Sequence, residues 1–68
     1  MTIRLNGQAR EVAAGATIAA VLPLLDVAPD ARGVAVAVDA EVVPRGAWAS
    51  VALAEGAQVE VLTAMQGG

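Results

Sequence analysis

Residues 2–12 read TIRLNGQAREV, and this stretch sets the class of fold. Thr2 to Asn6 alternate polar and apolar side chains, which is the period-two pattern of a strand with one buried face. Asn6-Gly7 lies where a two-residue hairpin turn requires positive φ at both central positions. Gln8 to Val12 supply the returning strand. The chain is therefore predicted to open with a β-hairpin.

The next segment carries helix signals together with a proline. Thr17 suits an N-cap, and apolar residues follow at the i, i+3, i+4 and i+7 positions of one helix face: Ile18, Val21, Leu22 and Leu25. Pro23 lies inside this pattern, where it loses a hydrogen bond and clashes with a carbonyl, at a cost of about 3 kcal/mol. We therefore expect a helix that is short or kinked and that Ala28-Pro29-Asp30 closes.

The second half of the chain is predicted to be mostly strand. Val34–Val38 places valine at alternate positions, and Asp39-Ala40 separates it from Glu41–Val43. Aspartate tolerates a left-handed turn but alanine does so poorly, so we expect this turn to be the less comfortable one. Pro44 ends the strand because it cannot donate to a ladder.

Residues 45–53 are expected to be irregular or to form a single turn, and Glu55-Gly56 is a predicted turn. Gln58–Thr63 then forms the last strand. The order is ββα followed by two or three strands. The predicted class is α+β, with one helix packed on a mixed sheet.

Composition limits how the core can be built. At 68 residues there is room for one domain, and seventeen of the thirty-nine apolar residues are alanine, which buries little area. The core must therefore come from valine, leucine, isoleucine, methionine and Trp48. Trp48 either plugs this core or anchors a partner, and the small core favours the plug.

The charged and nucleophilic residues exclude several functions. A net charge of −3 with four scattered arginines argues against a nucleic-acid interface. Histidine, lysine, cysteine and tyrosine are absent, which removes most general bases and covalent nucleophiles. Asp26 and Asp30 flank a helix end without a histidine, so solvated carboxylates are favoured over a metal site. Arg45 is read as a surface salt-bridge former rather than a contact for an acidic partner.

The remaining composition signals are negative. The glycines before the C-terminal pair do not form a phosphate-binding loop and are read as turn residues: Gly7, Gly15, Gly33, Gly46 and Gly56. No apolar run approaches the roughly 18 residues of a membrane span, and the N-terminus lacks a signal pattern. We expect no membrane association and, by default, a cytoplasmic location.

The last seven residues read LTAMQGG, and Gly67-Gly68 is the strongest functional signal. On the dipeptide alone, a frayed end and a functional tail are equally open. The glycines begin three residues beyond the last predicted strand, and no other group suits covalent chemistry, which favours function. Glycine has no Cβ, so a Gly-Gly tail fits a channel one backbone wide. The reactive group would be the Gly68 carboxylate, activated most simply as an acyl-adenylate. The chain divides into a domain over 1–63 and a tail over 64–68.

Four features together resemble the ThiS family of sulfur carriers: the Asn-Gly hairpin, Thr17 at the head of a short helix, VAVAVDAEVVPRGAW at 34–48, and EGAQVEVLTAMQGG at 55–68. The resemblance implies a ubiquitin-like β-grasp fold. Its mixed sheet would have four to five strands, the first and last being parallel neighbours at the centre. A short helix would cover one face, and the Gly-Gly tail would be flexible. Asp39-Ala40 and Pro23 depart from the family pattern.

The resemblance also implies a role for the tail. An E1-like adenylyltransferase (ThiF-like) would use ATP to adenylate Gly68, and a sulfur donor such as a cysteine desulfurase would lead to a thiocarboxylate. Thiazole synthase (ThiG-like) would take this sulfur into the thiazole ring of thiamine. Met65, Gln66 and Gly67 would enter the partner's active site, and the chain itself would bind no cofactor or metal. The partner surface is expected at the tail and on the exposed sheet face beside it, where an apolar patch would be informative.

Two alternatives share the predicted fold. The small subunit of molybdopterin synthase is also a β-grasp carrier that ends in Gly-Gly, although that family usually runs longer. A non-catalytic β-grasp binding module with an accidental Gly-Gly end is the other. An enzyme in its own right comes last, because the side chains for catalysis are missing.

Overall fold

The computed structural model describes residues 1–28 and 30–64, whose strands form one five-stranded mixed sheet. The strands and the α-helix are β1 (Thr2–Leu5), β2 (Gln8–Glu11), α1 (Ile18–Val21), β3 (Val34–Val38), β4 (Glu41–Val43) and β5 (Gln58–Thr63). The strand order across the sheet is β2-β1-β5-β3-β4. The predicted α+β class is confirmed, and the predicted flexible Gly-Gly tail lies outside the described residues.

The first and last strands are parallel neighbours, as the family resemblance implied. Leu5 of β1 lies opposite Val59 of β5, and both side chains are buried. The other neighbouring strands are antiparallel, with Val36 of β3 opposite Val61 of β5. β5 is thus the central strand, and its valines line up with those of β3 on the core side.

The helical segment changes type at the proline. Thr17 caps α1 as predicted, because its Oγ1 accepts the N–H of Ala20 at 3.3 Å. After one α-helical turn the chain continues as a 3₁₀ helix over Leu22–Leu25, with Pro23 in its first turn. The last α-helical bond runs from the Leu22 N–H to the Ile18 carbonyl, so the missing N–H of Pro23 falls where the α-helical pattern ends, and its fixed φ suits the first turn of the 3₁₀ helix. The expectation of a short helix is confirmed.

The segment ends earlier than the sequence suggested. Asp26 adopts φ 59 and donates its N–H to the Leu22 and Pro23 carbonyls, which closes the 3₁₀ helix. The predicted closing residues Ala28-Pro29-Asp30 come later, and Pro29 lies outside the described residues. A left-handed aspartate rather than a proline therefore ends this helix.

One apolar core lies between the sheet and the helical segment. Its buried members are Ile3, Leu5, Ile18, Val21, Leu22, Val36, Trp48, Leu53, Ala57, Val59 and Val61. Among the described residues, no charged or polar side chain is buried. The core is therefore structural and contains no candidate catalytic group within that part of the chain.

Trp48 closes this core, as predicted. It follows a 3₁₀ turn over Arg45–Ala47, is 2% exposed, and donates its indole N–H to the Val43 carbonyl at 2.9 Å. The Arg45 guanidinium lies 4.8 Å from the ring centroid and donates to the Ala31 carbonyl. Arg45 thus packs on the plug, a contact that the sequence reading did not anticipate.

The two hairpin turns both have positive φ at their two central residues. Asn6 and Gly7 have φ 52 and 83, and Asp39 and Ala40 have φ 50 and 70. Ala40 is therefore left-handed, which confirms the expectation of a strained turn. The Asp39 carboxylate accepts the N–H of Gln58 at 3.0 Å, which helps to hold this turn in place.

Candidate functional site

The predicted site residues follow directly from the central strand. β5 ends at Thr63, and the next residue, Ala64, still donates its N–H to the Gly33 carbonyl at 2.7 Å. Gly68, predicted to carry the chemistry, lies outside the described residues, and so do Met65, Gln66 and Gly67, predicted to enter the partner's active site. The structure therefore describes the base from which they follow, and that base is attached to the β3 side of the sheet through Ala64.

Asn6 holds β5 from the opposite side. Its backbone N–H donates to the Val59 carbonyl at 2.9 Å. Its side-chain Oδ1 accepts the N–H of Val61 at 2.8 Å, and its Nδ2 donates to the Val61 carbonyl at 3.2 Å. The side-chain amide thus continues the β1–β5 ladder for one more position after β1 has turned away.

Sequence reasoning assigned Asn6 to the turn alone and missed this contact. A signal for it exists in the choice of turn residue, since asparagine and aspartate both favour left-handed turns. Only the amide of asparagine can donate and accept at once. The pairing partner, however, lies 55 residues away in the chain. A local pattern cannot identify so distant a contact.

An exposed apolar patch lies on the sheet face opposite the helix. Leu62 of β5 is 69% exposed and Val42 of β4 is 73% exposed. Between them on this face lie Ala35 and Ala37 of β3, with Leu62 opposite Ala35 and Val42 opposite Ala37. We call these four residues the outer-face patch. It begins at the strand that leads into the tail, beside which the partner surface was expected, and such patches commonly mark interaction sites.

One carboxylate interrupts the outer-face patch. Glu60 lies opposite Ala37 on β3, is exposed, and is two residues before Leu62. The patch is therefore apolar toward the tail and acidic toward the start of β5, where Asp39, Ala40, Gln58 and Glu60 line a shallow recess. This recess lies at the end of β5 away from the tail.

The other carboxylates do not form a metal centre in the described part of the chain. Asp26 and Asp30 are both exposed, as expected for solvated residues at a helix end. Within residues 1–28 and 30–64, no three acidic side chains come together as a metal-binding group. No helix in the same residues is long and apolar enough to cross a membrane.

Comparisons with known proteins agree with this geometry. The ThiS family model matches residues 3–68. The crystal structure of a thiamine biosynthesis protein (ThiS) from Geobacter metallireducens is 33% identical, with full coverage of both chains and a TM-score of 0.79. A solution NMR structure of a thiamine biosynthesis protein from the same organism is also 33% identical, covering all of this chain and 88% of that one, with a TM-score of 0.78. A comparison with curated proteins finds no match.

Proposed function

The chain belongs to the ThiS family, and from that membership we propose that it carries sulfur for thiamine biosynthesis as a thiocarboxylate on Gly68. The observation that carries the proposal is the position of β5. This central strand is hydrogen-bonded on one side at Val61 and on the other at Ala64, directly before the proposed reactive residues. The folded body then acts as a handle, and the chemistry takes place beyond it.

The chemistry requires an activating partner. A carboxylate is a poor acyl donor, so a ThiF-like adenylyltransferase converts the Gly68 carboxylate to an acyl-adenylate with ATP. A persulfide from a donor such as a cysteine desulfurase then attacks the acyl carbon and expels AMP, and a second thiol reduces the resulting acyl disulfide to the thiocarboxylate. A ThiG-like thiazole synthase accepts this sulfur, and we place these steps in the cytoplasm. The ATP belongs to the partner, and the chain needs no cofactor of its own.

The tail length suits this division of labour. Four residues follow Ala64, and an extended chain spans about 3.3 Å per residue, so Gly68 can reach about 13 Å beyond the folded body. Met65, Gln66 and Gly67 would occupy the partner's channel over that distance. The outer-face patch, which adjoins β5, is the surface that we assign to the partner's docking contact.

Mass spectrometry of the intact protein tests the proposal. Incubation with ATP, the ThiF-like enzyme and a sulfur source should replace one oxygen by sulfur, and fragmentation should locate the change on Gly68. Deleting Gly68 should abolish this exchange and leave the melting temperature nearly unchanged. An unchanged mass, with a partner that charges its own native carrier, would overturn the carrier function.

The pathway is tested separately. The two solved neighbours are described as thiamine biosynthesis proteins. Deleting the gene should therefore produce a requirement for thiamine. A requirement for molybdenum cofactor instead would assign the same carrier chemistry to the molybdopterin branch.

A further inference from the structure

The edge of β5 that faces the opening hairpin becomes unpaired at Thr63. Successive residues of a strand direct their backbone groups to opposite sides, so Thr63 points the same way as Val61. Asn6 already bonds both backbone groups of Val61, and Ala64 points toward Gly33 on the other side. Within the described residues, the N–H and C=O of Thr63 therefore have no hydrogen-bond partner.

The two outer edges of the described sheet are protected against strand addition. β2 carries Arg10 and Glu11, and charged edge strands resist pairing. β4 has only three residues, and Pro44 follows it directly. Neither edge is an attractive template for another strand. The unpaired edge of β5 at Thr63 lacks such protection.

We propose that an extended segment of the adenylating partner pairs with β5 at Thr63, as an added strand in line with β1. Strand addition of this kind gains affinity from main-chain hydrogen bonds and specificity from side-chain contacts. Leu62 is 69% exposed on the adjoining outer face, so the added strand also gains an apolar contact. The proposal rests on the proposed carrier function.

Asn6 determines where this pairing starts. Because its amide satisfies Val61, the incoming strand cannot pair at that position and begins at Thr63. The added strand then lies beside Thr63, directly before Ala64 and the proposed reactive tail. Pairing at Thr63 therefore aligns the partner with the tail as well as binding it.

The occupant is a partner segment rather than a second copy of the chain. Two copies joined through this edge would each occupy the backbone groups of the other's Thr63. Neither copy would then offer that edge to the adenylating enzyme. Pairing between two copies at this edge would instead appear as a dimer in solution.

Amide hydrogen exchange, measured by NMR, tests the pairing with an internal control. In the free protein the Thr63 amide should exchange fast. The Leu62 amide, whose N–H points toward β3, should exchange slowly. Binding the ThiF-like enzyme with ATP should slow Thr63 by about tenfold or more and leave Leu62 slow. Fast exchange at Thr63 in a complex that charges Gly68 normally would overturn the inference and leave the carrier function standing.

Two other outcomes are distinguishable. Failure of the wild-type chain to be charged at all would contradict the carrier function itself. Protection of Thr63 without the enzyme, together with a doubled molar mass in solution, would show that a second copy occupies the edge and would overturn the inference.

A matched pair of variants measures the contribution of the N–H group. Thr63→Pro removes the donor, whereas Thr63→Val keeps it with a similar side-chain volume. Thr63→Pro should weaken the Kd for the enzyme about fivefold, the effect of about 1 kcal/mol for one hydrogen bond. Thr63→Val should bind like the wild type, and equal Kd values for the two variants would contradict the pairing.

A backbone ester at position 63 tests the same N–H group in case the proline variant fails to fold. The ester removes only the N–H, and the chain is short enough at 68 residues for chemical synthesis. It should bind about fivefold more weakly, as expected for Thr63→Pro, and retain slow exchange at Leu62. Wild-type affinity of the ester would overturn the inference whatever the proline variant does.

Discussion

Asn6 and Asp39 occupy the same position of two similar turns but bond β5 differently. Asn6 both donates to and accepts from Val61, with distances of 3.2 and 2.8 Å. Asp39 uses its carboxylate only as an acceptor for the N–H of Gln58. The contact at position 6 therefore needs a side-chain donor, whereas the contact at position 39 does not. Substituting asparagine and aspartate for each other at these two positions tests that difference.

Asn6→Asp should destabilise the protein. The substitution keeps the acceptor and the turn preference but directs a carboxylate oxygen at the Val61 carbonyl. Leaving that carbonyl without a donor costs about 1–3 kcal/mol. In a domain of this size, each kcal/mol lost from the free energy of unfolding lowers the melting temperature by roughly 4–8 °C. Thermal unfolding at neutral pH measures the effect.

Asp39→Asn is the matched control for that change. An asparagine at position 39 retains an oxygen that can accept the N–H of Gln58, so stability should change by less than about 0.5 kcal/mol. Equal losses for both substitutions would show that the donor of Asn6 contributes nothing.

Ala40→Gly should stabilise the protein. Alanine at φ 70 costs about 1–2 kcal/mol, and the greater freedom of glycine in the unfolded chain offsets about 0.4–1 kcal/mol of the relief. The net gain in the free energy of unfolding is therefore about 0.5–1 kcal/mol, measured by denaturant unfolding.

Gly7→Ala is the reverse substitution in the equivalent turn. A Cβ built at Gly7 has no heavy atom within 4 Å, so its φ of 83 is the source of strain. This variant should be destabilised, and the same sign for Gly7→Ala and Ala40→Gly would contradict the account.

At the scale of elements, the helical segment shows how a proline is accommodated. The sequence pattern placed Pro23 inside a helix, but the α-helix covers only Ile18–Val21 before the 3₁₀ helix begins. Pro23 therefore occupies a first turn, where its fixed φ suits the backbone. The segment keeps its apolar face, since Ile18, Val21 and Leu22 are all buried.

Pro23→Ala should not stabilise the protein. Replacing a proline in a helix interior would raise the free energy of unfolding by about 3 kcal/mol. Replacing a proline that suits its backbone conformation lowers the free energy of unfolding by about 0.4–1 kcal/mol. The structure favours the small loss. Ala20→Pro is the contrasting variant, because the Ala20 N–H bonds Thr17, and it should be strongly destabilising in the same thermal unfolding measurement.

Element identities followed from the sequence because they depend on local patterns. The alternation in Val34–Val38 and the Thr17 cap each need only a few neighbouring residues. The packing of Arg45 on Trp48 could not be predicted in the same way. A guanidinium near a proline and a glycine is equally typical of an exposed loop, and only the folded turn brings it over the ring.

At the scale of the whole molecule, the sheet has one face for the core and one that leaves apolar side chains in water. The resemblance to a known family correctly implied that β1 and β5 pair in parallel, which no local pattern determines. The position of the outer-face patch depends on the register between β3, β4 and β5. From the sequence, the partner surface was expected beside the tail, but the residues of the patch could not be named.

Leu62→Glu should impair charging of the carrier without unfolding it. Leu62 is 69% exposed, so a charge there changes stability by less than about 0.5 kcal/mol. We expect Leu62 to be a hot spot of the docking contact, and loss of a hot spot costs about 2 kcal/mol or more, so adenylation at limiting enzyme should slow by about tenfold or more. Pyrophosphate release with ATP and the ThiF-like enzyme measures the rate.

Leu24→Glu is the matched control, since Leu24 is 43% exposed but belongs to the 3₁₀ helix rather than to the sheet face. It should be adenylated at the wild-type rate. Equal slowing of both variants would show that the outer-face patch has no special role in docking.

The central place of β5 also affects how the protein is made. The parallel pairing joins Arg4 to Gln58, so the sheet closes only after β5 has been synthesised. A chain that stops before β5 retains two separate hairpins with no strand to join them. Only a chain synthesised through β5 can form the five-stranded sheet, and such a chain is also the one that can continue to the proposed reactive carboxylate. Forms that stop short of β5 thus lack Leu62 and, with it, part of the outer-face patch that we assign to docking.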